Sequence, residues 1–216
     1  MTSEREKKLE DALAQFLKPV KGIPFEVVVK AMCNATVHKF DPAVSANAAA
    51  LAKIVEAMRA TCRSVQRKPI TRPRPNEVGN DIEPFVIREL CAVGLKTAAP
   101  KTVSGKGKAM GYPDARIETA AGPIYLEVKT FAAANHKTSQ RSFYFSPSSD
   151  AKITCDAHHL LVGFEIERSG NIFTPVGFEL VDLYGLECDV KSEFNSDNKR
   201  LYTSERLLAS ERVPPT

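Results

Sequence analysis

No stretch of this chain is apolar for anything near the ~18–20 residues that cross a bilayer, so no membrane span is expected. The opening MTSEREKKLE is charged where a secretory signal is apolar, and the cytoplasm is the expected location. Paired cysteines are missing too. Cys33, Cys62, Cys91, Cys155 and Cys188 are odd in number and scattered. That argues against a disulfide frame or a cysteine-based zinc site and fits buried thiols in a reducing compartment. There is no internal repeat and no low-complexity tract. A phosphate-cradling glycine loop is absent as well: Ser104-Gly105-Lys106-Gly107 lacks the Lys-Ser/Thr ending and the strand–helix setting, which removes a nucleotide-driven motor.

What is there suffices for a packed core. The chain has 216 residues, 43% of them apolar, with 11 Phe, and this size suits one domain or a core with a small subdomain. Thirty Lys and Arg stand against 26 Asp and Glu, and the net charge of +4 permits a polyanionic partner without requiring one.

Helices are expected first. Ser3 and Glu6 have the spacing of a capping box, and Leu9, Leu13, Phe16 and Leu17 follow on one stripe. An apolar stretch from Phe25 to Met32 comes next. Asp41-Pro42 opens an Ala-rich helix carrying Leu51, Ile54, Val55 and Met58. Residues 1–65 are therefore expected to form a helical subdomain, serving dimerisation or a grip on DNA. From its last residues onward, over 63–75, Arg63, Arg67, Lys68, Arg72 and Arg74 alternate with Pro69, Pro73 and Pro75 and no acid. Proline disfavours helix and sheet, so a basic extended connector is expected, with its bounds at 66–75. It reads either as a solvated linker or as an arm along phosphates.

A helix starting near Asp81, with Pro84 in its first turn and a stop at Gly94, opens the next part. Strands are expected at Asp114–Thr119, Ile124–Phe131, Phe143–Ser146, Leu160–Glu167 and Ile172–Leu180, the last two joined as a hairpin by Arg168–Asn171. The fold class is α+β: a central mixed sheet flanked by helices over residues 76–190, then a polar tail from 191 to 216.

Chemistry concentrates in one hairpin. Side chains alternate along a strand, so Tyr125, Glu127, Lys129 and Phe131 share a face, with Glu127 and Lys129 about 6.6 Å apart along it. Pairing across the Ala121–Pro123 turn brings Asp114 near Glu127. Two carboxylates, with the main-chain carbonyl of Val128, suit Mg²⁺, which takes few protein ligands and keeps its waters. Such a site supports phosphodiester hydrolysis, with Lys129 stabilising charge or helping remove a proton.

Pro113-Asp114, a hairpin and then Glu127-Val128-Lys129 resemble the signature of PD-(D/E)XK nucleases, shared by type II restriction endonucleases and some Holliday-junction resolvases. The segment Asn76 to Glu83, followed by Val86 and Leu90, resembles the helix preceding that signature, where an acid joins or supports the metal site. Glu83 takes that place, with Glu77 as a competitor and Pro84 as a departure. The resemblance spans Asn76 to about Phe164. It implies a restriction-endonuclease core and Mg²⁺-dependent, site-specific cutting of double-stranded DNA to 5′-phosphate ends, with Mn²⁺ able to substitute. Asp114, Glu127 and Val128 would hold the metal, and Lys129 and Glu83 would complete the catalytic set. A homodimer would match a palindromic target. DNA contacts are expected from Arg63, Arg67, Lys68, Arg72, Arg74, Lys101, Lys106, Lys108, Asn135, Lys137 and Arg141, on loops taken as basic and flexible. A structure-selective resolvase and an inactive DNA-binding module of the same fold remain alternatives. Cys155, His158 and His159 are read as structural, because consecutive strand histidines point to opposite faces. Ser146, Ser148, Ser149 and Lys152 read either as phosphate contacts or as a polar turn, the turn being preferred.

Overall fold

The computed structural model describes residues 3–108, 111–139, 143–192, 196–201, 203–206, 208–210 and 212. Two compact units form, Met1–Gly22 together with Asp189–Thr216, and Ile23–Cys188. In the first, α1 (Glu4–Phe16) starts at the capping box: Ser3 Oγ accepts from Glu6 N–H, and Glu6 returns a carboxylate to Ser3 N–H. Its apolar stripe stays exposed.

The second unit is built on a sheet ordered β3-β8-β7-β6-β5-β4. Its strands are β3 (Ile70–Thr71), β4 (Lys96–Ala98), β5 (Ala115–Thr119), β6 (Gly122–Phe131), β7 (Ala157–Ser169) and β8 (Ile172–Asp182). Of the pairs along this order only β6–β7 runs parallel. A short β2 (Val37–His38) adds to the start of β7 in parallel, and β1 (Ile23–Pro24) pairs with β9 (Glu187–Cys188) apart from the sheet.

Strand alternation divides the core into two layers. One face carries Ile117, Ile124, Leu126, Val128, Leu160, Val162 and Phe164. It packs against α3 (Ser45–Arg67) and α4 (Val78–Ala92) through Ile54, Met58, Val65, Ile82, Val86 and Leu90. The other face carries Tyr125 and Leu161, covered by Phe25 and Val29 of α2 (Phe25–Cys33), by Tyr112 and by Ile153. This is the α+β architecture expected, with helices on both sides of a mixed sheet. Among the described residues no helix is long and apolar enough to cross a membrane.

Several local readings change. The chain divides between units at Gly22/Ile23 and at Cys188/Asp189, and α3 packs in the core of the second unit. Helix α3 runs to Arg67, so Arg63 and Arg67 are helical: proline restricts the residue before it, and the first proline here is Pro69. Between prolines the chain still forms β3, paired with β8 at the sheet edge. Asp41-Pro42 lies in a turn before α3, where Asp41 Oδ1 accepts from Ala43 N–H, and the helix starts at Ser45. α4 begins at Val78 after a 3-10 turn, leaving Pro84 inside it with no N–H for the Asn80 carbonyl. Phe143–Ser146 joins no ladder; the Phe143 and Phe145 rings pack on Phe25 and Tyr112 instead. Of the five free thiols Cys62 is buried, whereas Cys91 is exposed. The short α5 (Asn198–Leu201) lies in the first unit.

Candidate active site

The β5–β6 hairpin sets the site. Ala115 pairs with Leu126, which places Asp114, one residue before β5, beside Glu127. Two hydrogen bonds fix it there: Asp114 N–H donates to Leu126 O at 3.1 Å, and Asp114 Oδ2 accepts from Val128 N–H at 2.8 Å. In a strand the N–H and C=O of one residue point to the same side, so the Val128 carbonyl also points past the start of β5.

Glu127 is 3% exposed. Its Oε1 meets Lys129 Nζ at 2.5 Å, while its Oε2 is buried without a hydrogen-bond partner. Burial, and then the charge of Asp114, push its pKa up to about 7, against the pull of Lys129. Glu83, half-buried on α4, is raised to about 7 by the same two causes in the same order, opposed by Lys129 and Lys152. Three carboxyl groups thus crowd together, Glu127 buried and the other two partly so, and Glu127 and Glu83 hold protons more firmly than usual.

These groups line a cleft of about 1180 Å³, above the ~300–1,000 Å³ of small-molecule pockets. Val78, Gly79, Asn80 and Glu83 form one wall, Asn135, His136, Thr138 and Tyr144 another, and Glu127, Lys129, Phe131, Gly163, Glu179 and Val181 contribute from the sheet. Among the described residues no three of His, Cys, Asp and Glu assemble as a metal-holding group. The donors on offer are two carboxylates and a carbonyl, the small protein share that Mg²⁺ takes while keeping waters. The unpartnered Glu127 oxygen and the crowded negative charge fit a hard divalent cation.

Of the residues expected to touch DNA, Asn135 lines the cleft. Arg63, Arg67, Lys68, Arg74, Lys101, Lys106, Lys108 and Lys137 are exposed outside its lining. Arg72 forms a two-pronged pair with Asp81 at 2.6 and 2.7 Å, tying β3 to α4. The loop 101–108 is fastened rather than free: Ser104 donates twice to Asp150, and Lys108 Nζ reaches Ser148 Oγ at 3.3 Å. Arg141 lies outside the described residues.

Two side chains near the site carry more than the sequence suggested. Lys152 is 5% exposed and donates to Gly111 O at 2.6 Å and Pro113 O at 3.0 Å. His159 is fully buried, its Nδ1 2.6 Å from Tyr112 Oη, and burial lowers its pKa to about 3. His158 packs on the opposite face against Phe40 and bonds His38 O, so the two histidines do point apart. Nothing in sequence spacing marks Lys152, whose burial is a tertiary event.

A mixed sheet with helices on both faces, and a hairpin gathering carboxylates and a lysine in an open cleft, is a restriction-endonuclease-like core. The family model of the type II restriction enzyme MjaV family matches residues 19–205, and the chain belongs to that family, whose members are hydrolases that cut within DNA. It is similar to the type II restriction enzyme MjaV of Methanocaldococcus jannaschii, 33% identical over 216 residues, which take in 93% of this chain and 94% of the relative. No solved structure matches the chain.

Proposed function

We propose that this protein is a Mg²⁺-dependent type II restriction endonuclease that hydrolyses double-stranded DNA at a specific site, leaving 5′-phosphate ends. The observation that carries the reading is the hairpin pairing that sets Asp114 against Glu127, with an orphaned carboxylate oxygen in a cleft of about 1180 Å³. Asp114, Glu127 and the Val128 carbonyl would hold the ion. Bound there, Mg²⁺ would polarise the scissile phosphate and acidify a water.

The remaining work falls to the chain itself. Lys129, on the cleft wall and drawn to Glu127, offers a donor and a positive charge to phosphate oxygens as charge builds in the transition state. Glu83, its pKa raised to about 7 by burial and by Asp114, would lose its proton more readily with a cation bound beside it. Asn135 and Lys137 after β6, Lys101, Lys106 and Lys108 on their fastened loop, Arg63 and Arg67 at the end of α3, and Lys68 and Arg74 on either side of β3 would contact DNA. Arg141 is proposed for DNA contact from the sequence alone, and Arg72 would contribute from its pair with Asp81. A homodimer acting in the cytoplasm completes the proposal. The exposed stripe Leu9, Leu13, Phe16 and Leu17 on α1 supports a role for the N-terminal helix in that contact.

Incubation of phage DNA with the protein and Mg²⁺ tests the reading. Discrete fragments from the wild type and none from Asp114→Ala are expected. A smear would mean cutting without a site, and equal behaviour of the two proteins would remove the catalytic assignment.

A further inference from the structure

Lys152 has no part in the chemistry above, yet it is the one lysine among the described buried residues. Lysines are rarely buried unless a partner holds the ammonium. Here the partners are main-chain carbonyls, and both lie in the three residues that lead into Asp114: Gly111 O at 2.6 Å and Pro113 O at 3.0 Å. Between them Tyr112 is fixed through its hydroxyl to His159.

Lys152 is itself anchored from both sides. Ala151 O accepts from Val103 N–H at 3.0 Å, and Thr154 N–H donates to Tyr125 Oη at 2.9 Å. Ile153, between these anchors, is buried among the aromatics of the second core layer. The ammonium is therefore held by the fold and holds in turn the backbone approach to the aspartate.

We propose that Lys152 is a positioning residue for the cation site, fixing through the Gly111 and Pro113 carbonyls the backbone from which Asp114 reaches the metal. This rests on the metal-site reading given above. A bystander charge and a positioning residue make opposite demands on metal affinity. Asp114, Glu127 and Glu83 all act on Lys152. If it were only a positive neighbour, removing it would take a like charge away from the cation and tighten binding. If it positions Asp114, removing it releases two buried carbonyls and the loop, and binding weakens.

Mn²⁺ affinity, measured by titration calorimetry on the full chain without DNA, separates the two. Lys152→Met is expected to weaken Mn²⁺ binding by about 10- to 100-fold, as loss of groups that orient metal ligands generally does. Lys152→Gln, which leaves a polar group in the pocket, carries the same expectation should Lys152→Met fail to fold by circular dichroism. Lys152→Arg, with charge and donors kept, is expected to recover most of the loss. Unchanged or tighter Mn²⁺ binding in the Met or Gln variant overturns the proposal, as does an Arg variant no better than Met. Asp114→Ala serves as the control: if it binds Mn²⁺ like the wild type, the cation site itself is misplaced and the claim for Lys152 falls with it.

Discussion

Asp114 Oδ2 accepts a hydrogen bond from Val128 N–H at 2.8 Å, so the aspartate just before one strand of the hairpin is clamped to the middle of the other. The bond ties the position of a charge to a strand register. A slip of one residue would turn Glu127 and Lys129 to the opposite face and leave Asp114 without its partner. The same carboxylate that crowds Glu127 thus also fixes where Glu127 stands.

Two substitutions at Asp114 separate these roles. Asn keeps an acceptor for Val128 N–H and loses the charge; Ala loses both. Cleavage is expected to fall about 10²–10³-fold or more in each, the scale of losing a principal electrostatic element. Asp114→Asn should melt close to the wild type, whereas Asp114→Ala should lose about 1 kcal/mol, the net worth of one hydrogen bond. Thermal melts beside single-turnover rates check this.

Glu127 and Glu83, both raised to about 7 from 4.5, make cation binding pH-dependent. Below pH 7 the folded, metal-free protein holds protons there that a cation must displace. Mn²⁺ affinity is therefore expected to rise as pH increases from 5.5 to about 7 and then to level off, with proton release largest in that window. The same raised values mean that metal-free stability from these two groups falls between pH 4.5 and 7, since the unfolded chain has already lost those protons. Calorimetry at several pH values in two buffers of different ionisation enthalpy measures both, and affinity independent of pH would contradict the assignment.

His159 works in the other direction. Its pKa is lowered to about 3 from 6.5, so below pH 6.5 the unfolded chain takes up a proton that the folded one refuses. Its contribution to stability is lost as pH falls through that range. In His159→Gln this loss disappears, and the stability of the variant relative to wild type is expected to improve with acid by up to ~1.4 kcal/mol per pH unit. Denaturant unfolding at pH 7, 5.5 and 4.5 reads the difference; a constant gap would contradict it.

Gly163 stands opposite Lys129 across the parallel β6–β7 pair. A Cβ built there meets the Phe131 ring at 3.1 and 3.2 Å, so the ring, which lines the cleft, must shift by a few tenths of an ångström. Gly163→Ala is expected to cost about 1 kcal/mol of stability and to lower the cleavage rate more than DNA affinity. Equal loss in both would place the effect outside the cleft.

The candidate-site hairpin was legible because strand alternation is local: it alone puts Glu127 and Lys129 on one face, and the turn brings Asp114 to them. The capping box at Ser3 and Glu6 was legible for the same reason. The prolines suggest an extended connector at Arg63 and Arg67, but the first of them is Pro69, and α3 continues to Arg67 because Val65 packs in the core. Phe143–Ser146 alternates like a strand, yet its rings are spent on Phe25 and Tyr112. The buried contacts of Lys152 and His159 were not legible, since their hydrogen-bond partners lie at least 39 residues away in the chain.

If Asp114 and Glu127 hold a divalent ion, the ion lies where both carboxylates reach it. Anomalous diffraction from a crystal of the protein grown with Mn²⁺ tests it most directly. A peak between these two carboxylates, within reach of the Val128 carbonyl, is predicted; a peak elsewhere, or none at a concentration that supports cleavage, would contradict it.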